Sequence, residues 1–170
     1  FIVQILGIGV LREMGPLFAA ILIAGRSGSS MTAQIGVMRI TEEIDALSVM
    51  GISPVLRLVF PKVVALLIVT PLVVVWTSVA GIWGGILASR QVLGIGMSEF
   101  LNALPRDAMY TNLLIALFKG ATFGMIIAII ACHFGMRIKP NTESLGQGTT
   151  ASVVSAITVV MLMDAGYAIL

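Results

Sequence analysis

Four ionisable residues lie inside long apolar runs of the sequence: Arg12, Glu13, Lys119 and Asp164. A charge at the centre of a bilayer costs roughly 2.5–3.5 kcal/mol unless it is paired or hydrated, so these side chains should face the interior of a helical bundle. Two bases and two acids can neutralise one another. The sequence therefore leaves two interpretations open: a salt-bridge cluster between helices, or a gate or polar part of a substrate cavity.

A second candidate site is the polar segment from 39 to 51, where acidic residues are mixed with regularly spaced apolar ones. Thr41 can cap a short helix of about 41–51 outside the membrane, Gly51 suits its exit, and Pro54 stops any continuation. Because an anionic membrane surface repels clustered carboxylates, the pattern favours docking to a protein over passive rest at the interface. The apolar residues are expected to share one face. The docking surface is assigned to Glu42, Glu43, Ile44, Asp45, Leu47 and Met50.

Other groups that could perform catalysis or bind a metal are isolated in the sequence. Cys132 has no second cysteine, and His133 has no carboxylate or histidine at ligand spacing, so no metal site is predicted. The segment 24–30, AGRSGSS, lacks the residue order of a phosphate-binding loop and has no strand before it. A tight helix crossing, with Arg26 reaching to the cytoplasmic interface, explains these residues. The chain is therefore expected to be neither an ATPase nor another enzyme.

The composition places these features in a membrane protein. Apolar residues make up 58% of the 170 residues and charged residues 11%, whereas a soluble domain carries roughly 25% charged residues. Ten basic and eight acidic side chains are too few and too scattered for a nucleic-acid-binding face. We therefore expect residues 1–170 to form one all-α domain, a polytopic helical bundle in the membrane.

Four apolar segments are long enough to span a bilayer, which takes about 20 residues because lipid cannot satisfy backbone polar groups. Gly15-Pro16 offers a kink or break in the first segment, which is too long for one straight span. The glycines of GIWGG, at 81–85, and Gly120 with Gly124 are typical of close helix contacts. The segments run from about 1 to 38, 63 to 87, 113 to 134 and 152 to 170.

The basic residues of the connections predict the orientation. The connections 39–62 and 135–148 together hold five Lys and Arg residues, against two in 90–112. Short cytoplasmic loops carry the excess of basic residues. The first and third connections, and the short helix with them, are therefore expected on the cytoplasmic side.

The order and spacing of six segments resemble the MlaE (YrbE-like) permease family, over nearly the whole chain. No single one of these short motifs would be as specific as their order. The segments are LREMGP at 11–16, AGRSG at 24–28, AQIGVM at 33–38, EEIDAL at 42–47, MGISP at 50–54 and GIWGG at 81–85.

This resemblance implies a multi-pass permease of the bacterial inner membrane that moves phospholipids or related molecules between that membrane and the periplasmic side. It implies a homodimer, a cytoplasmic ABC ATPase that binds the ATP and Mg²⁺, and often a periplasmic hexamer of MCE-domain subunits; the chain itself needs no cofactor. It also implies a further N-terminal helix and a fifth span, absent from this sequence. By resemblance, the helix from Thr41 to Met50 is the coupling helix. Arg12, Glu13, Lys119 and Asp164 would lie near the lipid pathway.

The alternative is a proton-coupled secondary transporter of a hydrophobic substrate, with Glu13 or Asp164 as the proton carrier. Such a protein would work on a pH gradient without ATP. It would leave the acidic helix at about 41–51 unexplained. The source of energy therefore distinguishes the two functions.

Overall fold

The computed structural model describes residues 7–94, 96–103 and 106–169. Every regular element over these residues is helical, which confirms the expected all-α fold. Four of the helices are long and apolar enough to cross a membrane, as predicted. The predicted outer limits of the first and last spans, Phe1 and Leu170, lie outside the described residues.

The described residues form six helices, two of them short. In chain order they are α1, Gly7–Ile40, which contains the π-helical turns Val10–Met14 and Ala24–Gly28; α2, Glu43–Val49; α3, the π-helical turn Val55–Val59 followed by Phe60–Leu93; α4, Met97–Ala103; α5, Arg106–Met136; and α6, Thr142–Ile169. The four long helices α1, α3, α5 and α6 are the candidate spans.

The long helices extend beyond the apolar runs that predicted them. Arg57 and Lys62, which were expected in a loop, belong to α3. α6 begins ten positions before the predicted start, where Asn141 Oδ1 accepts a hydrogen bond of 2.6 Å from the Ser144 N–H. A helix satisfies its own backbone groups whatever its side chains, so it continues through polar residues at its ends until a cap stops it.

At Gly15-Pro16, where a kink or break was expected, the helix is unbroken and a π-helical turn precedes the proline. Proline has no N–H to give to the carbonyl of Arg12, and its ring would clash with that carbonyl in a regular α-helix. The preceding residues Val10–Met14 form a wider turn, in which the Gly15 N–H bonds to the Val10 carbonyl. This turn accommodates the proline, and α1 continues to Ile40.

The core of the bundle lies where the four long helices meet, and small side chains supply much of it. In lipid the contact between helices depends on close packing, because the surrounding acyl chains are as apolar as the side chains. The largest buried cluster comprises Ala20, Ile23, Ala24, Leu66, Phe123, Ile127, Ala128, Ala156 and Val160.

A buried hydroxyl pair joins three of the spans near their α2 end. Thr32 Oγ1 of α1 lies 3.0 Å from the carbonyl oxygen of Ala131 in α5 and 2.8 Å from Ser152 Oγ in α6. All three residues are buried. The bonds hold α1, α5 and α6 together, and these same helices carry the intramembrane charges.

The glycines of α5 bring it close to α3, as the sequence predicted. A methyl group on Gly124 would overlap Thr70 Oγ1 and stand 2.5 Å from the Leu66 carbonyl oxygen. A methyl group on Gly120 would stand 2.7 Å from a methyl group of Val74. The glycines of GIWGG were also predicted to make close helix contacts. This prediction is wrong at Gly84, where an added methyl group would meet nothing within 4 Å.

The substitution Gly124→Ala is therefore expected to destabilise the bundle by about 1–3 kcal/mol, because α5 must move away from α3 to admit the methyl group. The matched control Gly84→Ala adds the same group on an open helix surface. Thermal unfolding of both variants in one detergent should show a lower midpoint for Gly124→Ala alone. Equal midpoints would contradict the close approach of α3 and α5.

Candidate functional site

The intramembrane charges meet at Lys119, whose side chain on α5 is only 1% exposed. Its Nζ lies 2.7 Å from Glu13 Oε2 on α1 and 2.6 Å from Asp164 Oδ1 on α6. One ammonium group thus joins three spans. The cross-helix pairing that the sequence allowed is present in the fold.

Arg12 joins this charge cluster from beside Glu13. Its Nε lies 3.4 Å from Glu13 Oε1, and both side chains are about one-third exposed. Lys119 Nζ also lies 3.5 Å from the Arg12 carbonyl oxygen, to which Pro16 has no N–H to donate. With Asp164, the four side chains carry two positive and two negative charges, so the cluster is neutral as a whole.

The two carboxylates contact Lys119 in different ways. Glu13 Oε2 accepts a hydrogen bond from Lys119 Nζ. Asp164 Oδ1 is as close to that nitrogen but lies outside hydrogen-bonding angles, so the attraction is ionic. Within the described part of the chain this buried oxygen accepts no hydrogen bond.

Tyr167 and Thr122 also belong to the cluster, although their place in it was not predicted from the sequence. The Tyr167 ring centroid lies 6.0 Å from Lys119 Nζ, and its hydroxyl donates to Thr122 Oγ1 at 3.3 Å. The ring also meets Phe123 edge to face. The available signal was helical spacing: Thr122 and Tyr167 each follow a charged residue of the cluster, Lys119 and Asp164, by about one turn.

A groove of about 340 Å³ lies beside Asp164 and is lined by Leu162, Met163, Gly166 and Tyr167. Its walls are mainly apolar, and Tyr167, whose ring lies beside Lys119, connects the groove to the charge cluster. Such a site suits an amphipathic molecule with an apolar tail and an anionic head. Among the described residues no group of three His, Cys, Asp or Glu side chains is arranged to hold a metal ion.

Helix α2 is anchored to the spans through Ile44. This side chain is 2% exposed and packs in a buried cluster with Ile35 of α1 and Cys132 of α5. The carboxylate-bearing residues of α2 are exposed, Leu47 is half-buried, and Met50 is 64% exposed just after the helix ends. The three apolar residues therefore do not form one exposed face, and Ile44 lies in the core instead of on the surface.

The predicted cap of α2 at Thr41 is wrong. The Thr41 hydroxyl donates back to the Val37 carbonyl at 3.1 Å and so closes the end of α1. Glu42 follows in the left-handed conformation, with φ of 62°, and makes no side-chain cap bond. Only Thr41 and Glu42 join the two helices. The Thr41 hydroxyl therefore bonds to the end of α1 instead of capping α2. The prediction for Gly51 is confirmed, since its φ of 74° suits glycine.

Two exposed apolar residues near α2 were also missed. Val49 is 88% exposed at the end of α2, and Leu56 is 70% exposed at the start of α3. Together with Met50 they place exposed apolar side chains close in the sequence to the exposed acids of α2. The signal in the sequence was the set of apolar residues on both sides of Gly51, outside the predicted spans.

Comparison with known sequences identifies relatives of this chain. The family described as Permease MlaE matches residues 1–170. A probable ABC transporter permease protein of Synechocystis is 34% identical over 160 residues, which cover 94% of this chain and 61% of that protein. The intermembrane phospholipid transport system permease protein MlaE of Haemophilus influenzae is 33% identical over 162 residues, 95% of this chain and 62% of that protein.

A more distant relative comes from a plant. The chloroplastic protein TRIGALACTOSYLDIACYLGLYCEROL 1 of Arabidopsis thaliana is 29% identical over 160 residues, covering 94% of this chain and 46% of that protein. The chain thus spans about three-fifths of the length of the bacterial relatives and less than half of the plant protein.

Proposed function

Because the chain belongs to the MlaE permease family, we propose that it forms the membrane subunit of an ABC transporter for phospholipids or related lipids. The transporter moves lipid between the bacterial inner membrane and its periplasmic side. Two copies form a homodimer, and a separate cytoplasmic ATPase binds ATP and Mg²⁺. A periplasmic hexamer of MCE-domain subunits is the proposed partner on the other side.

The observation that carries this proposal is the buried Lys119 between Glu13 and Asp164, beside Tyr167, which lines an apolar groove. A lipid phosphate approaching Lys119 and Arg12 would find charge-assisted hydrogen-bond donors. The carboxylates neutralise those cations when no lipid is bound, which keeps the empty cluster stable within the membrane. They also compete with the phosphate, so the site binds lipid reversibly. The name of the Haemophilus relative supports phospholipid as the cargo class.

The attachment of α2 supports coupling to an ATPase. Ile44 packs against residues of α1 and α5, and partly buried residues of α3 pack against the same cluster. A displacement of α2 by a partner would therefore act on three spans together. The exposed acids of α2, with Val49 and Met50, give that partner a mixed charged and apolar surface. In this proposal Ile44 anchors α2 and does not itself contact the ATPase.

The proton-coupled alternative receives less support from the site. A proton carrier needs a carboxylate that can take up and release a proton during transport. Both candidate carboxylates, Glu13 and Asp164, contact the same buried ammonium group, so releasing either one would break a contact that joins the spans. The alternative also gives α2 and its exposed acids no role.

Purification of the protein from its native membrane tests the proposal. We expect it to be isolated as a complex with an ATP-hydrolysing subunit, with phospholipid among the lipids extracted from the complex. Lipid extraction from an unrelated membrane protein purified in the same detergent provides the control for carried-over lipid. Isolation without any ATPase, and with no phospholipid above that control, would refute the proposal.

A further inference from the structure

Arg26 is an exposed arginine in the π-helical turn Ala24–Gly28 of span α1. The ion pairs of the described residues do not include it. A π-helical turn inside a long helix often marks a functional site. The space beside Arg26 is open, because a methyl group added to Gly25 would meet nothing within 4 Å.

Arg26 lies near the middle of the candidate span Gly7–Ile40. It precedes Ile40, the α2 end of α1, by about 14 residues, or roughly 21 Å of helix. A methyl group added to Gly28 would stand 3.3 Å from Ile127, which is well inside the span Tyr110–Met136. The expectation that Arg26 reaches the cytoplasmic interface stays a prediction.

A second copy of the chain offers no carboxylate at this depth. In a dimer whose axis is normal to the membrane, each residue keeps its depth in both copies. Glu13 lies about 13 residues, or roughly 20 Å, from Arg26 along α1, and Asp164 pairs with the same lysine as Glu13. The other acidic residues lie at or beyond the ends of the spans: Glu42, Glu43, Asp45, Glu99, Asp107 and Glu143.

Arg26 ends a polar stripe on the exposed face of α1, formed with Ser30 and Gln34. The three residues are spaced four apart and so follow one side of the helix. Gln34, nearest the α2 end, accepts a hydrogen bond from Lys62 of α3. The stripe therefore leads from near the α2 end of the bundle to the middle of α1, where Arg26 is its one unpaired cation.

We infer that Arg26 binds the phosphate group of a phospholipid within the span α1, at a site separate from the Lys119 cluster. An unpaired guanidinium at this depth needs an anion or water, and its planar donors fit a phosphate in two-point contact. The polar stripe gives the head group hydrogen-bonding partners on the way from the membrane surface, while the acyl chains stay in lipid or against apolar helix surfaces. This inference rests on the proposed function.

Photo-crosslinking in nanodiscs tests the Arg26 site with the complete complex. The probes are phosphatidylglycerol and diacylglycerol with the same photoactivatable acyl chain, so that they differ only in the head group. Arg26→Gln should reduce crosslinking of phosphatidylglycerol to α1 at least five-fold and leave diacylglycerol unchanged. Arg26→Lys should retain an intermediate yield, because it keeps the charge without the two-point geometry. The matched control, Arg57→Gln, removes an exposed arginine near the α2 end of α3 and should have no effect.

The possible results separate this site from the proposed function. Equal phosphatidylglycerol yields in wild type and Arg26→Gln, with lipid still crosslinked to α5 or α6, would overturn the Arg26 site alone. No phospholipid crosslinking in the wild-type complex would overturn both proposals. Competition by inorganic phosphate at the probe's own concentration would assign Arg26 to a soluble anion and overturn the lipid site. Native mass spectrometry measures whether Arg26→Gln still forms dimers. If the dimer is lost and the crosslinking yield of the remaining dimers is unchanged, Arg26 belongs to a contact between copies. That result would also overturn the lipid site.

Discussion

Replacing Lys119 with methionine is expected to abolish lipid transport and to lower the free energy of unfolding by about 3–5 kcal/mol. The variant keeps a long unbranched side chain but leaves Glu13 and Asp164 facing each other without the ammonium group between them. Removing one partner of a buried ion pair leaves an uncompensated charge, which is more costly than the pair itself. Denaturation of the purified protein and lipid transport by the reconstituted complex measure the two effects.

A triple variant separates the stabilising role of the charges from their role in transport. Lys119→Met combined with Glu13→Gln and Asp164→Asn removes the central charges together, so no unpaired carboxylate remains. We expect most of the lost stability to return, because well-packed neutral groups can replace a buried ion pair. Transport should remain absent, since the cations that attract the lipid phosphate are reduced to Arg12. Transport at the wild-type rate by this triple variant would mean that the cluster only holds the helices together.

Replacing Met50 with aspartate should reduce co-isolation of the ATPase at least ten-fold. Met50 is 64% exposed, directly after α2, so the substitution should not disturb the fold of the spans. A carboxylate at the centre of a docking surface loses an apolar contact and becomes buried without a partner. The amount of ATPase retained per membrane subunit after affinity purification is the measurement.

Two further variants sharpen this experiment. Val49→Asp changes the neighbouring residue, which is 88% exposed, and should have a similar effect. The matched control is Leu101→Asp, an exposed leucine on α4, which follows the opposite end of α3. It should retain the ATPase fully. Retention of the ATPase by both Met50→Asp and Val49→Asp would place the contact elsewhere and remove α2 from the coupling proposal.

The spans and the intramembrane charges were predictable from the sequence for simple physical reasons. A span must be apolar over its whole length, and a charge within it must find a partner. Lys119 and Asp164 could therefore be assigned to one cluster with Glu13, although any two of these three residues lie at least 45 positions apart in the sequence. What the sequence did not give was the order of the contacts, in which Lys119 is central and Arg12 touches only Glu13.

The features that escaped prediction depend on competition between neighbouring groups. Thr41 has the right type and position to cap α2, but its hydroxyl bonds to the end of α1 instead. Ile44 has the spacing of a docking residue, yet the closeness of α2 to the spans buries it. Tyr167 was overlooked because its contact with Lys119 depends on how α5 and α6 are rotated toward each other. Periodicity indicates a face of a helix but does not indicate which partner will cover it.

In the proposed function, this permease moves phospholipid with energy from a separate ATPase. The most direct test reconstitutes the complete complex in proteoliposomes and measures transfer of labelled phospholipid to an acceptor. Each sample receives either ATP with Mg²⁺ or a pH gradient alone. We predict transfer that requires ATP, is unaffected by the gradient, and is lost in Lys119→Met. Transfer driven by the pH gradient without ATP would contradict the account and favour the proton-coupled transporter.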